Sequence, residues 1–306
     1  MAAPQSRGPQ PTFPPLTAEL EGRAPRRAQP GESLAVRLLN RPVDKLGKLG
    51  ADMRFYLSVL GHIPTTLRHY PKEVMRLLSE VSFGSGALAV IGGTIGVMLG
   101  LTLSVGFVVG MQGYAALDQI GASALNGFIS AYFNTREVAP MVAALALSAT
   151  VGSGFTAQLG AMRINEEVDA LTAMAVPAVP YLITTRVIAG FVAIIPLYVI
   201  GLLTSYGGAR MVTVFVYGQS AGTYDHYFGL FLPPIDILLS FVKVLFFSVI
   251  IIMVHCRMGF QAVGGPAGVG VAVGRAVRRS LVTVAVLDLI LSMALWGAST
   301  TVRIAG

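Results

Sequence analysis

The sequence predicts an all-α integral membrane protein: amphipathic interfacial N-terminal helices, then five transmembrane helices and one short polar helix between two of them. Three observations predict it. Of 306 residues, 54% are hydrophobic and 12% charged, whereas a soluble domain carries about 25% charge. The charges are segregated, with 19 in the first 80 residues and 18 in the remaining 226. Beyond residue 80, apolar stretches recur that are long enough to cross a hydrocarbon core of about 30 Å, which takes about 20 helical residues. An ordinary soluble enzyme, a disordered chain and a collagen-like chain are all excluded.

The elements follow in order. Residues 1–33 hold seven prolines, from Pro4 to Pro30. Proline fixes φ and removes a donor, so this stretch reads as a disordered, Pro-rich cytoplasmic tail. It lacks the apolar core and small-residue cleavage site of a secretory signal. Its prolines and Glu19, Glu21 and Glu32 argue against the amphipathic helix of a transit peptide. Residues 34–80 read as interfacial amphipathic helices. Leu34, Leu38 and Leu39 recur at helical spacing, with Arg37, Arg41, Lys45 and Lys48 between and after them. Pro71 suits a first turn, and Val74, Leu77, Leu78 and Val81 then follow i, i+3, i+4, i+7.

No charge occurs from residue 81 to 117, and one span is expected near 84–111. Within it Gly92, Gly96 and Gly100, and then Gly106 and Gly110, form G-x-x-x-G steps that let helix backbones approach in lipid. Further spans are expected near 138–160, 181–204, 236–256 and 280–299. With the N-terminus inside, 18 Lys/Arg fall on the inner side and Arg136, Arg210 and Arg303 on the outer. The positive-inside rule therefore predicts N-in, C-out.

Between the second and third spans, Asn165 is expected to cap a helix near 165–176. Glu166, Glu167 and Asp169 then fall in its first turn, where the dipole favours negative charge. Val168, Leu171 and Ala175 share one face, and Pro177 and Pro180 end the element. Three acids in four residues run against the inside-positive trend, which favours a docking element over a solvated loop.

Several chemistries are excluded. The single cysteine, Cys256, rules out an internal disulfide framework and a multi-Cys metal cluster. His62, His69, His226 and His255 show no metal-ligand spacing, so no metal site is expected. Adjacent His255 and Cys256 point in different directions on a helix and make a poor dyad. Gly268 to Gly274 is one residue too long for G-x-G-x-x-G, and no Walker A sequence occurs. The net charge of +7 lies mostly ahead of the apolar body, which suits anionic lipid heads rather than nucleic acid.

Charges within spans take a functional reading by default. Lys243 and Asp288 fall in the fourth and fifth spans, and their pairing would offset burial; a static bridge and a transport role both stay open. Glu137 begins the second span beside Arg136, near the outer face.

A family resemblance rests on particular residues: the run Asn134-Thr-Arg-Glu-Val-Ala-Pro140, then Gly160-Ala-Met-Arg163, Glu166-Glu-Val-Asp-Ala-Leu171, Met174-Ala-Val-Pro177 and Arg186-Val-Ile-Ala-Gly190. Together they resemble the MlaE/YrbE permeases, the membrane subunits of lipid-transporting ABC systems that work with MCE-domain proteins. Gly110-Met-Gln-Gly-Tyr114 resembles the end of that family's first span, and Gly264 to Gly274 its last cytoplasmic loop. Residues 70–299 are covered. Tyr217 to Tyr227 and His255-Cys256 resemble the B-type permease of actinobacterial Mce systems.

The resemblance implies that the acidic helix is a coupling helix, with Glu166, Glu167, Asp169, Ala170 and Leu171 contacting a cytoplasmic ATPase. It implies a lipid cavity with Phe107, Met111, Tyr114, Leu117 and Glu137 near its outer mouth. This chain would bind no cofactor, ATP and Mg belonging to the ATPase dimer. Its partners would be a paralogous permease in a heterodimer, that ATPase, an MCE-domain assembly and a lipid substrate. The expected setting is a bacterial plasma membrane, and the expected activity is import of fatty acids, sterols or related lipids. The alternatives are an intramembrane lipid-modifying enzyme, for which Lys243 and Asp288 are a poor catalytic set, and a non-transporting scaffold.

Overall fold

A computed structural model describes Gly47, residues 50–83 and residues 93–297. The Pro-rich tail, nearly all of 34–49, the expected start of the first span at 84–92 and the C-terminal residues from 298 lie outside the described residues. The described residues up to His62 belong to one compact unit and those from Ile63 to a second. In the first, residues 50–61 are helical, Phe55 and Tyr56 pack edge to face, and His62 Nδ1 lies 2.6 Å from the Ser58 carbonyl.

The second unit consists of helices joined by short turns, with no strand among the described residues. Helix α1 is Ile63–His69, α2 is Pro71–Phe83 and α3 is Gly93–Asp118. A continuous helical rod, α4, runs from Ser123 to Ile164, and the short α5 is Glu167–Ala173. Then come α6 (Val179–Val216), α7 (Ala221–Leu230), α8 (Pro234–Phe260) and α9 (Gly265–Trp296). Five of these, α3, α4, α6, α8 and α9, are long and apolar enough to cross a membrane. The all-α membrane fold read from the sequence is thus the fold observed.

The helix bounds correct the expectation at several places. Helix α4 begins at Ser123, not near 138, because Ser130, Asn134, Thr135 and Arg136 are buried and paired inside the bundle rather than displayed in a loop. Hydropathy cannot register a polar residue whose partner is on another helix. Helix α9 begins at Gly265, so the Gly-rich run to Gly274 is helical rather than a loop. Arg186, counted as a connection charge, lies inside α6 and is buried. The apolar stripe of α2 is buried too, Val74, Leu77 and Val81 packing into the bundle where α2 meets α6 and α3.

Close packing of α3 on α6 follows from small residues. A Cβ on Gly106 would stand 2.3 Å from the Ser205 carbonyl oxygen, and one on Gly110 would stand 2.8 Å from that of Ala209. Gly208 makes the reciprocal approach to the Leu103 carbonyl oxygen. Only hydrogen at these positions lets the backbones touch, which in lipid supplies the dispersion contact that holds helices together. Gly100, by contrast, faces open space.

Candidate functional site

Helix α4 is interrupted by two π-helical stretches, Ser130–Val138 and Ser148–Gly152. A π turn widens the helix and is frequent at functional sites. In the first stretch, four consecutive side chains serve two different neighbours. Asn134 accepts from Ser205 of α6 at 2.9 Å, and the Thr135 hydroxyl lies 2.5 Å from the Tyr206 hydroxyl, also of α6. Arg136 and Glu137 turn instead to α8.

There they join a five-charge network. Arg136 donates from Nε and Nη2 to Asp236 Oδ2 at 2.9 and 2.6 Å, and Trp296 Nε1 donates to Asp236 Oδ1 at 2.9 Å. The Arg136 guanidinium also lies 4.0 Å from the Tyr132 ring centroid. Lys243, fully buried, donates to the Arg136 carbonyl at 2.8 Å, to Glu137 Oε2 at 3.0 Å and to Ser292 Oγ at 2.7 Å. These match its three N–H donors. Asp288 Oδ1 stands 2.7 Å from the same ammonium, and Ser292 donates to Glu137 Oε1 at 2.7 Å. The expected Lys243–Asp288 pair therefore exists, and Glu137 completes it.

Two cations and three carboxylates leave the network one negative charge in excess. Glu137, 40% exposed, is the carboxylate that reaches out of it. The arrangement binds and orients; it offers no nucleophile activated by a base. Removing one member of such a desolvated network is costly because it leaves the others' charges uncompensated.

Phe107, Met111, Tyr114 and Leu117 lie on α3. Phe107 packs against Gly208, Met111 is exposed, and Tyr114 stacks on Tyr217 with centroids 4.0 Å apart. They flank the α3–α6 crossing, while Glu137 belongs to the α4–α8–α9 network.

Just beyond the C-terminal end of α4, the acidic segment differs in detail from the expectation. Asn165 terminates α4 rather than capping the next helix, and Glu166 takes the left-handed position with φ 59°. Helix α5 starts at Glu167, so Glu167 and Asp169 occupy its first turn and Glu166 precedes it. It ends after Ala173 in a Schellman motif: Val176 N–H bonds to Leu171 O and Ala175 N–H to Thr172 O, with Ala175 left-handed at φ 59°. Val168 is buried, Leu171 half-buried, and Glu166, Glu167, Asp169 and Ala170 exposed. Asp169 accepts from Arg163 at 2.8 Å.

One polar cluster escaped sequence reasoning. His255 of α8, fully buried, has the Thr156 hydroxyl 2.8 Å from Nδ1 and the Ser148 and Ser280 hydroxyls 3.1 and 3.2 Å from Nε2. It ties α4, α8 and α9 together. No local pattern could reveal it, since its partners lie 25 to 107 positions away. Cys256 beside it is buried and unbridged.

Five long apolar helices, close small-residue crossings and a buried charge network define a polytopic helical membrane protein. The permease MlaE family matches residues 83–294, and the chain belongs to that family. Similar proteins include a probable ABC transporter permease protein of Rickettsia bellii, 29% identical over 61% of this chain and 72% of its own length. The chloroplastic protein trigalactosyldiacylglycerol 1 of Arabidopsis thaliana is 30% identical over 65% of this chain and 57% of its own. The intermembrane phospholipid transport system permease protein MlaE of Haemophilus influenzae is 29% identical over 64% and 76%. The chain is a transport subunit of this kind, the class that relies on a separate ATPase.

Proposed function

We propose that this chain is the lipid-moving permease of an MCE-type ABC transporter, with α5 as the coupling helix on which a cytoplasmic ATPase dimer acts. The observation that carries the reading is α5 itself. It is a short helix bracketed by two left-handed residues, anchored by buried Val168, with Glu166, Glu167 and Asp169 exposed. Such a rigid acidic knob, joined directly to α4 and close to α6, can pass movement of a docked protein to the spans. The N-terminus is then cytoplasmic and the C-terminus outside, in agreement with the charge count.

In this reading the chain pairs with a paralogous permease beneath an MCE-domain assembly in a bacterial plasma membrane. ATP and Mg are bound by the ATPase. The substrate is a hydrophobic lipid. The Haemophilus relative's name supports a phospholipid, and the resemblance to actinobacterial Mce permeases supports import of fatty acids or sterols. Mass spectrometry of lipids retained by the purified complex separates these.

The test of coupling is Glu166→Lys combined with Glu167→Lys. The expected result is loss of ATPase co-purification with the protein still inserted in the membrane. Undiminished co-purification overturns the assignment of α5.

A further inference from the structure

The corner between α1 and α2 has an exposed outer face. The apolar stripe of α2 is spent inside the bundle, so what remains outside is Arg68, Lys72 and Arg76, together with Leu67 and Met75, 50% and 64% exposed. Its height is fixed by contacts to the start of a span. Thr66 Oγ1 donates to the Pro180 carbonyl at 3.4 Å, and Tyr70 packs edge to face on Tyr181 at 5.2 Å, both partners lying in the first turns of α6. The span expected near 181–204 begins at Tyr181, so the corner falls at the edge of that apolar run, the level at which tyrosines with one apolar and one wet end collect.

A recess of about 510 Å³ opens at this corner, lined by Arg68, Tyr70, Lys72, Glu73 and Tyr181 among others. Its one lining acid is already satisfied. Arg76 donates to both oxygens of Glu73, and this holds the Glu73 carboxyl below its ordinary value. The other acid of α2, Glu80, accepts from Gln158. Arg68 and Lys72 carry no ion pair among the described residues. Two cations without an ion pair among the described residues thus flank a recess with an aromatic wall, beside exposed apolar side chains, at the edge of the expected span.

We propose that this recess holds the phosphate headgroup of an anionic membrane lipid, with Arg68 and Lys72 as its charge partners and its acyl chains alongside Leu67 and Met75. The lipid is a bound component of the membrane surface, distinct from the transported one. Each cation near a charged surface favours the anionic lipid about fivefold, so removing both lowers the preference on the order of 25-fold.

The full chain carrying Met75→Cys, labelled with a fluorophore, is reconstituted in phosphatidylcholine vesicles with and without phosphatidylglycerol. Quenching by chain-brominated phosphatidylglycerol is compared with quenching by chain-brominated phosphatidylcholine. The expected result is stronger quenching by the anionic lipid, lost in Arg68→Ala/Lys72→Ala and retained in the charge-conserving Arg68→Lys/Lys72→Arg. Equal quenching by the two lipids overturns the proposal, as does a preference that survives the double alanine variant. Inorganic phosphate at constant ionic strength is the remaining arm: no competition supports a lipid headgroup, and displacement assigns the recess to free phosphate instead. ATPase co-purification is unchanged in every variant, so failure here leaves the coupling assignment of α5 standing.

Discussion

Two charged regions, one about a third of the way along α4 and the other just beyond its C-terminal end, obey opposite rules. In the network of Arg136, Glu137, Asp236, Lys243 and Asp288, each charge is held by a partner on another helix, and Lys243, Asp236 and Arg136 are almost wholly shielded. Around α5, the acids are exposed and Asp169 has only a neighbouring arginine. Removed from water, a charge is a structural commitment whose loss exposes its partner's desolvation. Left in water, it contributes little to stability and is available to a second molecule.

The largest expected effect breaks the buried side of this contrast. Lys243→Met leaves Glu137 and Asp288 facing each other without a cation, and should cost about 3–5 kcal/mol, read as a lower unfolding temperature in detergent. Adding Asp288→Asn restores the network's original net charge and should recover much of that loss; no recovery would show that packing rather than charge sets the effect.

Next comes the geometry of α5. Ala175 occupies the left-handed position that glycine fills most readily, so Ala175→Gly should stabilise the protein by about 1 kcal/mol. Hydrogen exchange of the α5 amides, slower in the variant, checks it.

A smaller effect belongs to Arg210 and Asp225, an exposed bidentate pair with both distances 2.8 Å. Hydrogen bonds from Arg210 hold the Asp225 carboxyl below its ordinary value. Its folded value is depressed, so the pair's contribution is present above the unfolded value of about 3.9 and lost as pH falls through the folded one. Being about half exposed, it is worth less than about 1 kcal/mol. Asp225→Asn should therefore match the parent below that window and fall slightly short of it at neutral pH.

The smallest stability change is expected from Glu166→Lys with Glu167→Lys, within about 0.5 kcal/mol of the parent by thermal unfolding. A large destabilisation would place these side chains on the structural side of the contrast.

What could be read from the sequence follows the same division. The five spans were legible because lipid-facing and core residues are alike apolar, and Lys243 and Asp288 stood out against that background. The acidic segment was legible as local composition. The helical stretch from Ser123 to Val138 was not, because Asn134, Thr135 and Arg136 find their partners 71 to 100 positions away. Arg186 was misplaced for the same reason: its guanidinium donates to the Leu182 carbonyl and to Gln158 inside the bundle. The left-handed Glu166 was missed because its position is set by where α4 ends, and Asn165 offered an equally good cap by composition.

The π turns of α4 have a consequence for the far end of the same rod. One residue of an α-helix corresponds to about 100° of rotation, so an extra residue turns all that follows by that angle unless a π turn absorbs it. Ser130–Val138 and Ser148–Gly152 both precede the point where α4 hands over to α5. They therefore hold the compass bearing at which the acidic knob leaves the bundle. Deleting one residue from either stretch lets it return to α geometry and keeps that bearing, whereas the same deletion in the α-helical part of α4 would turn α5 by about 100°.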